Sequence, residues 1–115
     1  MILIVDYGSG NIRSISNALK ILGIKSKTAS HLEEIDFKFS HIILPGVGSY
    51  NDAMLNMKKK KFDIFLRENN KKNIPILGIC AGMQILSTVG YENSVTSGID
   101  LIKGEVKNII ELMPD

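Results

Sequence analysis

Strand-like and helix-like segments alternate four times along this chain, and that alternation limits its possible folds more than any other feature. Ile2 to Val5 is a continuous apolar run rich in branched residues, ended by Asp6-Tyr7-Gly8-Ser9-Gly10, the pattern of a strand buried on both faces. Asn11 is placed to cap a helix in which Ile12, Ile15, Leu19 and Leu22 recur at helical spacing, and Gly23 ends it. Ile24 to Ala29 forms a weaker second strand, with Ile24, Ser26 and Thr28 on one face and two lysines on the other, as suits a position near a sheet edge. A short helix around Leu32 to Ile35 leads to a third strand, His41 to Leu44, cut off by Pro45. Two helical pieces follow, one carrying Ala53, Met54 and Met57 and the other Phe62, Phe65 and Leu66, separated near Lys58 to Lys61. Pro75 to Ile79 is the fourth strand, and the helix expected after Cys80 carries Met83, Ile85, Leu86 and Val89. Residues 91–100 form a polar excursion, after which Ile99 to Ile110 pairs as one or two short strands.

Such alternation implies right-handed crossovers and a parallel sheet covered by helices, with reactive loops gathered at the carboxyl ends of the strands. A chain of 115 residues allows one domain of this kind, spanning 1–115. Its net charge of +2 is too small to argue for nucleic acid, and the run Lys58 to Lys61 reads as a solvated helix end or loop. The first residues carry no basic leader and too short an apolar run for a signal peptide or membrane span. One cysteine cannot form an internal disulfide, and no cluster has metal-ligand spacing, so a reducing cytoplasm fits best.

That single cysteine, Cys80, follows Ile76-Leu77-Gly78-Ile79 and precedes Ala81-Gly82-Met83-Gln84. A sulfur at a tight strand-to-helix corner meets helix-terminal N–H groups that favour a thiolate, which makes Cys80 the candidate nucleophile. A small buried hydrophobe is the alternative reading of a lone cysteine in an apolar stretch. Gly78 and Gly82 bracket the position, as a backbone that turns sharply and stays uncrowded requires. The loop Pro45-Gly46-Val47-Gly48-Ser49 should open on the same rim. Gly46 and Gly48 there permit conformations that present an N–H outward, where negative charge develops on a carbonyl oxygen under attack, and the N–H of Ala81 is a further donor. A plain turn accounts for the same residues. Gly8-Ser9-Gly10 lacks the third glycine of a dinucleotide fingerprint, since Arg13 stands there, and no acidic residue ends the second strand to hold a ribose.

Asp6-Tyr7-Gly8-x-Gly10-Asn11, then Leu44-Pro45-Gly46-Val47-Gly48 with Asp52-Ala53-Met54, and finally Gly78-Ile79-Cys80-x-Gly82-Met83-Gln84 together resemble the class I glutamine amidotransferase subunits of imidazole glycerol phosphate synthases. The resemblance runs in order from residue 1 to about residue 90. It implies a flavodoxin-like, three-layer α/β fold and a glutaminase without a cofactor. In that chemistry the thiolate of Cys80 attacks the side-chain amide of glutamine, giving a γ-glutamyl thioester and ammonia. Gly46, Val47 and Gly48, with Ala81, would line the oxyanion hole, and Gln84 and Gly46 would hold the substrate. The fourth residue after Cys80 lies about one turn along the same helix face, which suits Gln84. Ammonia would pass to a barrel-shaped cyclase subunit of the HisF type, in a heterodimer serving histidine biosynthesis.

The sequence also departs from the family. Ala81 stands where leucine is usual, and Gly98 to Gly104 only partly follows the family's Gly-Leu-Gly-Leu-Ile-Pro-Gly, which keeps open an amidotransferase subunit for a surface-sugar synthase. The family carries a His and a Glu beyond the region matching residue 115. Their absence implies either a fragment of a longer protein or a product without amide hydrolysis, such as a non-catalytic binding subunit. His41 would lie on the order of 13 Å from the Pro45 rim, at about 3.3 Å per strand residue. His31 follows the second strand and lies on the proper rim, but no residue anchors it beside Cys80. A sheet lacking later elements should also expose apolar surface. A reactive-cysteine hydrolase of the DJ-1 kind shares the strand-to-helix corner, but Pro45 to Gly48 and Gln84 argue against it.

Overall fold

The computed structural model describes residues 1–114. β1 (Ile2–Val5), β2 (Ser26–Ala29), β3 (His41–Leu44) and β4 (Ile76–Gly78) form one sheet, in the order β2-β1-β3-β4, with every pairing parallel. The crossovers are α1 (Ile12–Ile21), between β1 and β2, and the pair α2 (Tyr50–Lys59) and α3 (Phe62–Lys71), between β3 and β4. The weaker second strand is an edge, as its alternating lysines required.

Side-chain alternation along the strands sorts the two faces. Leu3, Val5, Ile42 and Leu44 point to one side, where they bury Ala53, Met54 and Met57 of α2 and Phe62 and Leu66 of α3. Ile4 and Ile43 point to the other, against Leu19 of α1 with Ile12 and Ile15 beside it. The result is three layers, helix on sheet on helix. Leu22, expected in the buried stripe of α1, is instead its C-terminal cap and lies exposed. Gly23 (φ 73°) ends the helix there. Lys60 and Lys61 form the joint between α2 and α3, with Lys61 in the left-handed region at φ 61°, so the lysine run is a solvated helix junction.

The helix expected to run from Cys80 through Val89 does not form. Instead α4 (Ala81–Gln84) is a single turn, and β5 (Ser87–Gly90) follows it, pairing antiparallel with β6 (Thr96–Ser97) and parallel with β7 (Ile102–Val106). Ile85 and Leu86 are buried from a turn just as they would be from a helix, so their spacing did not separate the two. Ser87-Thr88-Val89 favours extended backbone and finds strand partners on both sides. Tyr50 ties this second sheet to the first. Its ring occupies the space a Cβ on Gly90 would need, and its hydroxyl shares a 2.9 Å hydrogen bond with Ser87 Oγ. Only β7 appears as a strand in the tail, and Ile109–Leu112 is a helical turn, α5. Among the described residues, no helix is long and apolar enough to cross a membrane.

One face of the sheet is incompletely covered. Beside α1, an apolar trough of about 260 Å³ is lined by Ile2, Leu19, Ile43, Pro75, Ile76 and Leu77, among others. Leu77 is 57% exposed on the edge strand β4. Exposed apolar faces on an open sheet edge drive association. The 115-residue chain is therefore expected to self-associate with rising concentration in sedimentation equilibrium, and Leu77→Asp to weaken that association. A wild-type chain that stays monomeric from micromolar to submillimolar concentration contradicts this.

Candidate active site

Cys80 sits where β4 turns into α4, with its side chain exposed. Its backbone lies at φ 55° and ψ −122°, a conformation that costs a non-glycine residue on the order of 1–3 kcal/mol and persists only where the surroundings impose it. Neighbouring hydrogen bonds impose it here. Ile79 N–H donates to Leu44 O at 2.9 Å, Ala81 N–H to Gly46 O at 3.2 Å, Gly82 N–H to Ile79 O at 3.0 Å and Gln84 N–H to Cys80 O at 3.1 Å. The corner thus projects the thiol outward on a strained backbone, the geometry of a nucleophile elbow.

The bracketing glycines serve space rather than rotation. A Cβ on Gly78 would lie 2.6 Å from Met83 Cα and 2.9 Å from Gly82 O, and one on Gly82 would run into the carbonyl oxygens of Leu44 and Pro45. The turn itself falls on the cysteine. Because Gly82 lets α4 touch the end of β3, Cys80 and the Pro45 to Gly48 segment meet on one rim.

That segment is held from both sides. Pro45 and Gly46 are buried, while Val47 and Gly48 are exposed and Gly48 adopts φ 99°. Val47 N–H donates to Ser9 O, and Asn56 Nδ2 donates to Ser9 Oγ at 3.3 Å. A Cβ on Gly10 would lie 2.8 Å from Pro45 Cγ. Asp6 shapes the same loop by accepting from Gly8 N–H at 3.1 Å and Ser30 Oγ at 3.1 Å. The Gly8-Ser9-Gly10 turn is thus a brace for Pro45 to Val47. Two of the four expected oxyanion donors, Val47 and Ala81, spend their N–H groups on Ser9 O and Gly46 O. An oxyanion role requires those two contacts to open.

Gln84 lies one turn beyond Cys80, half-buried, on the wall of a concavity of about 420 Å³ that also involves Tyr91, Glu92, Lys107, Asn108 and Glu111. Lys107 Nζ is 3.1 Å from Glu105 Oε2, and that contact raises the pKa of Lys107 while lowering that of Glu105. Glu92 escaped the sequence reading. Its carboxylate accepts from Tyr50 N–H at 3.1 Å, beside the Ser49 cap that accepts from Asp52 N–H at 3.3 Å, so it joins the concavity to the end of the Pro45 to Ser49 loop. Ser49 caps α2 from within its own turn, whereas Glu92 reaches Tyr50 from 42 residues away, and no local pattern marks that pairing.

Neither histidine approaches the thiol. His41 opens β3 at the opposite end of the sheet, where its Nδ1 is 2.8 Å from Ser40 Oγ. His31 follows β2, three strand positions from β4, a lateral separation on the order of 14 Å at about 4.8 Å per strand.

The family model for class-I glutamine amidotransferases matches residues 3–109. The chain belongs to that family. Among relatives of this chain, the imidazole glycerol phosphate synthase subunit HisH of Listeria monocytogenes serotype 4a (strain HCC23) is 43% identical over 111 residues, covering 96% of this chain and 53% of the relative. The HisH subunit of Carboxydothermus hydrogenoformans is 43% identical over 106 residues, 92% of this chain and 53% of the relative. That of Dehalococcoides mccartyi is 40% identical over 111 residues, 96% and 54% respectively. The chain spans about half the length of the curated relatives it matches. The parallel sheet and its flanking helices agree with the family fold expected from the motifs.

Proposed function

We propose that this chain carries the nucleophile and the substrate-holding corner of the glutaminase subunit of an imidazole glycerol phosphate synthase, working as a cytoplasmic heterodimer in histidine biosynthesis. The observation that carries the reading is an exposed thiol on a strained elbow whose backbone is bonded to Gly46, with Gln84 one turn away. The Cys80 thiolate adds to the amide carbon of glutamine, and the electron pair moves to oxygen, where the N–H groups of Gly46 to Gly48 and Ala81 stabilise it once those of Val47 and Ala81 are released from Ser9 O and Gly46 O. The C–N bond then breaks, the nitrogen leaves as ammonia after taking a proton, and water cleaves the thioester to glutamate and free thiol. Glu92, Glu111 and Lys107 offer charges of both signs for the ammonium and carboxylate of the amino acid. Ammonia passes to the cyclase subunit, a barrel of the HisF type.

Ammonia leaves poorly unless protonated, so a base that takes the thiol proton and returns it to nitrogen is required. With both histidines distant from Cys80, that base comes from polypeptide outside these residues, and the 115-residue chain alone is inactive. The test is glutamate formation from glutamine by the complete reading frame containing this sequence, assayed with a cyclase partner and its phosphoribosyl-type acceptor, and in parallel with a sugar-modifying synthase. Hydrolysis stimulated by the cyclase is expected, with none from the 115-residue chain. Stimulation only by the sugar synthase reassigns the pathway, and no hydrolysis with either removes the glutaminase reading.

A further inference from the structure

Tyr7 holds a polar atom that the fold leaves without a partner, directly under the segment that must move. The residue follows β1, is 1% exposed, and its hydroxyl is buried with no hydrogen bond. A Cβ on Gly46 would fall on both the Tyr7 oxygen and the nitrogen of Gly82. The hydroxyl therefore touches the Gly46 backbone one bond from its carbonyl carbon, in space that exists because residue 46 has no side chain. Burial also pushes the phenol pKa up, so the O–H remains a donor at any physiological pH. The Gly46 carbonyl presently accepts from Ala81 N–H at 3.2 Å, at the long end of the range for such a bond. If that carbonyl simply turned away to free Ala81 N–H, a buried acceptor would be left unpaired, which is costly. Tyr7 O–H is a buried donor with unused capacity packed against the same residue.

We propose that the Tyr7 hydroxyl is a positioning group for the oxyanion segment, receiving the Gly46 carbonyl when it releases Ala81 N–H and so stabilising the arrangement in which that N–H faces the substrate. This rests on the glutaminase reading for its catalytic consequence. No covalent step involves Tyr7. Because the hydroxyl bonds only in the open arrangement, removing it should penalise that arrangement and spare the resting one.

The test is Tyr7→Phe in the complete enzyme with its synthase partner. Loss of one buried hydrogen bond made only in the open arrangement should lower kcat about tenfold, with KM for glutamine within about twofold. The melting temperature should stay the same or rise, because an unpaired buried hydroxyl has been deleted. Hydrogen exchange at the Ala81 amide, which reports release from Gly46 O, should slow about tenfold. An unchanged kcat in an active enzyme overturns the inference while leaving the glutaminase reading intact. A lower melting temperature with unchanged Ala81 exchange also overturns it, since the hydroxyl then has a resting partner such as a buried water. Should wild-type enzyme hydrolyse no glutamine, the glutaminase reading fails by itself. Ala81 exchange then decides the bond exchange alone: slowing in Tyr7→Phe supports it and equality overturns it.

Discussion

Cys80→Ala in the complete enzyme is expected to reduce glutamine-dependent glutamate formation by at least about 10⁴-fold, the scale seen when a covalent nucleophile is removed. The substitution deletes only an exposed sulfur. The bonds that shape the corner, Ala81 N–H to Gly46 O and Gln84 N–H to Cys80 O, are made by backbone, and alanine carries the same Cβ at φ 55°. Fold and partner binding should survive, and synthesis driven by added ammonium salt should remain while the glutamine-driven reaction disappears. Residual glutamine hydrolysis within tenfold of wild type would assign the chemistry to another group. Cys80→Gly tests the strain separately. Glycine adopts positive φ without the Cβ penalty, so it should melt above Cys80→Ala, although glycine elsewhere usually melts below alanine.

Gly82→Ala should destabilise the protein by about 3 kcal/mol or more, at or beyond the upper end of ordinary overpacking. The added methyl would collide with the carbonyl oxygens of Leu44 and Pro45. Both are main-chain atoms, so no rotamer change relieves the contact. The end of β3 and the start of α4 must separate, and Ile79 N–H to Leu44 O and Ala81 N–H to Gly46 O stretch with them. Gly48→Ala is the comparison: nothing lies within 4 Å of its Cβ position, and only the φ of 99° opposes it, a cost of about 1 kcal/mol. Urea midpoints at constant slope measure both. A Gly82→Ala midpoint as close to wild type as that of Gly48→Ala would show that the corner yields. Because natural domains are held by only about 5–15 kcal/mol, the larger loss should also appear as poor recovery of soluble protein.

Much of the site was legible because its parts are local. A single cysteine between an apolar strand and a glycine, and a proline-glycine loop after the preceding strand, fall on one rim once the strands run parallel, and that follows from alternation alone. Gly78 and Gly82 were read as marking a backbone that turns sharply and stays uncrowded; the close contact is there, while the turn falls on Cys80. Glu92 and Tyr7 were not legible. Their placement depends on which N–H group or backbone atom lies opposite them, 42 residues away for Glu92 and 39 for the contact of Tyr7 with Gly46.

Periods of two and of about 3.6, punctuated by Gly23, Pro45 and Lys60-Lys61, are steric properties of neighbouring residues, so the sequence by itself determined the four parallel strands, their crossovers and the place of the cysteine at a strand end. Tertiary structure decided three other matters. It decided that Ser87 to Gly90 extends instead of coiling, because Ile85 and Leu86 bury equally well in either form and only strand partners at 96–97 and 102–106 break the tie. It also decided that the N–H groups of Val47 and Ala81 point inward to Ser9 O and Gly46 O, and that Tyr7 is left with a hydroxyl to spare. Hydrogen bonds are settled by what stands across the gap, and no local pattern of residues encodes that.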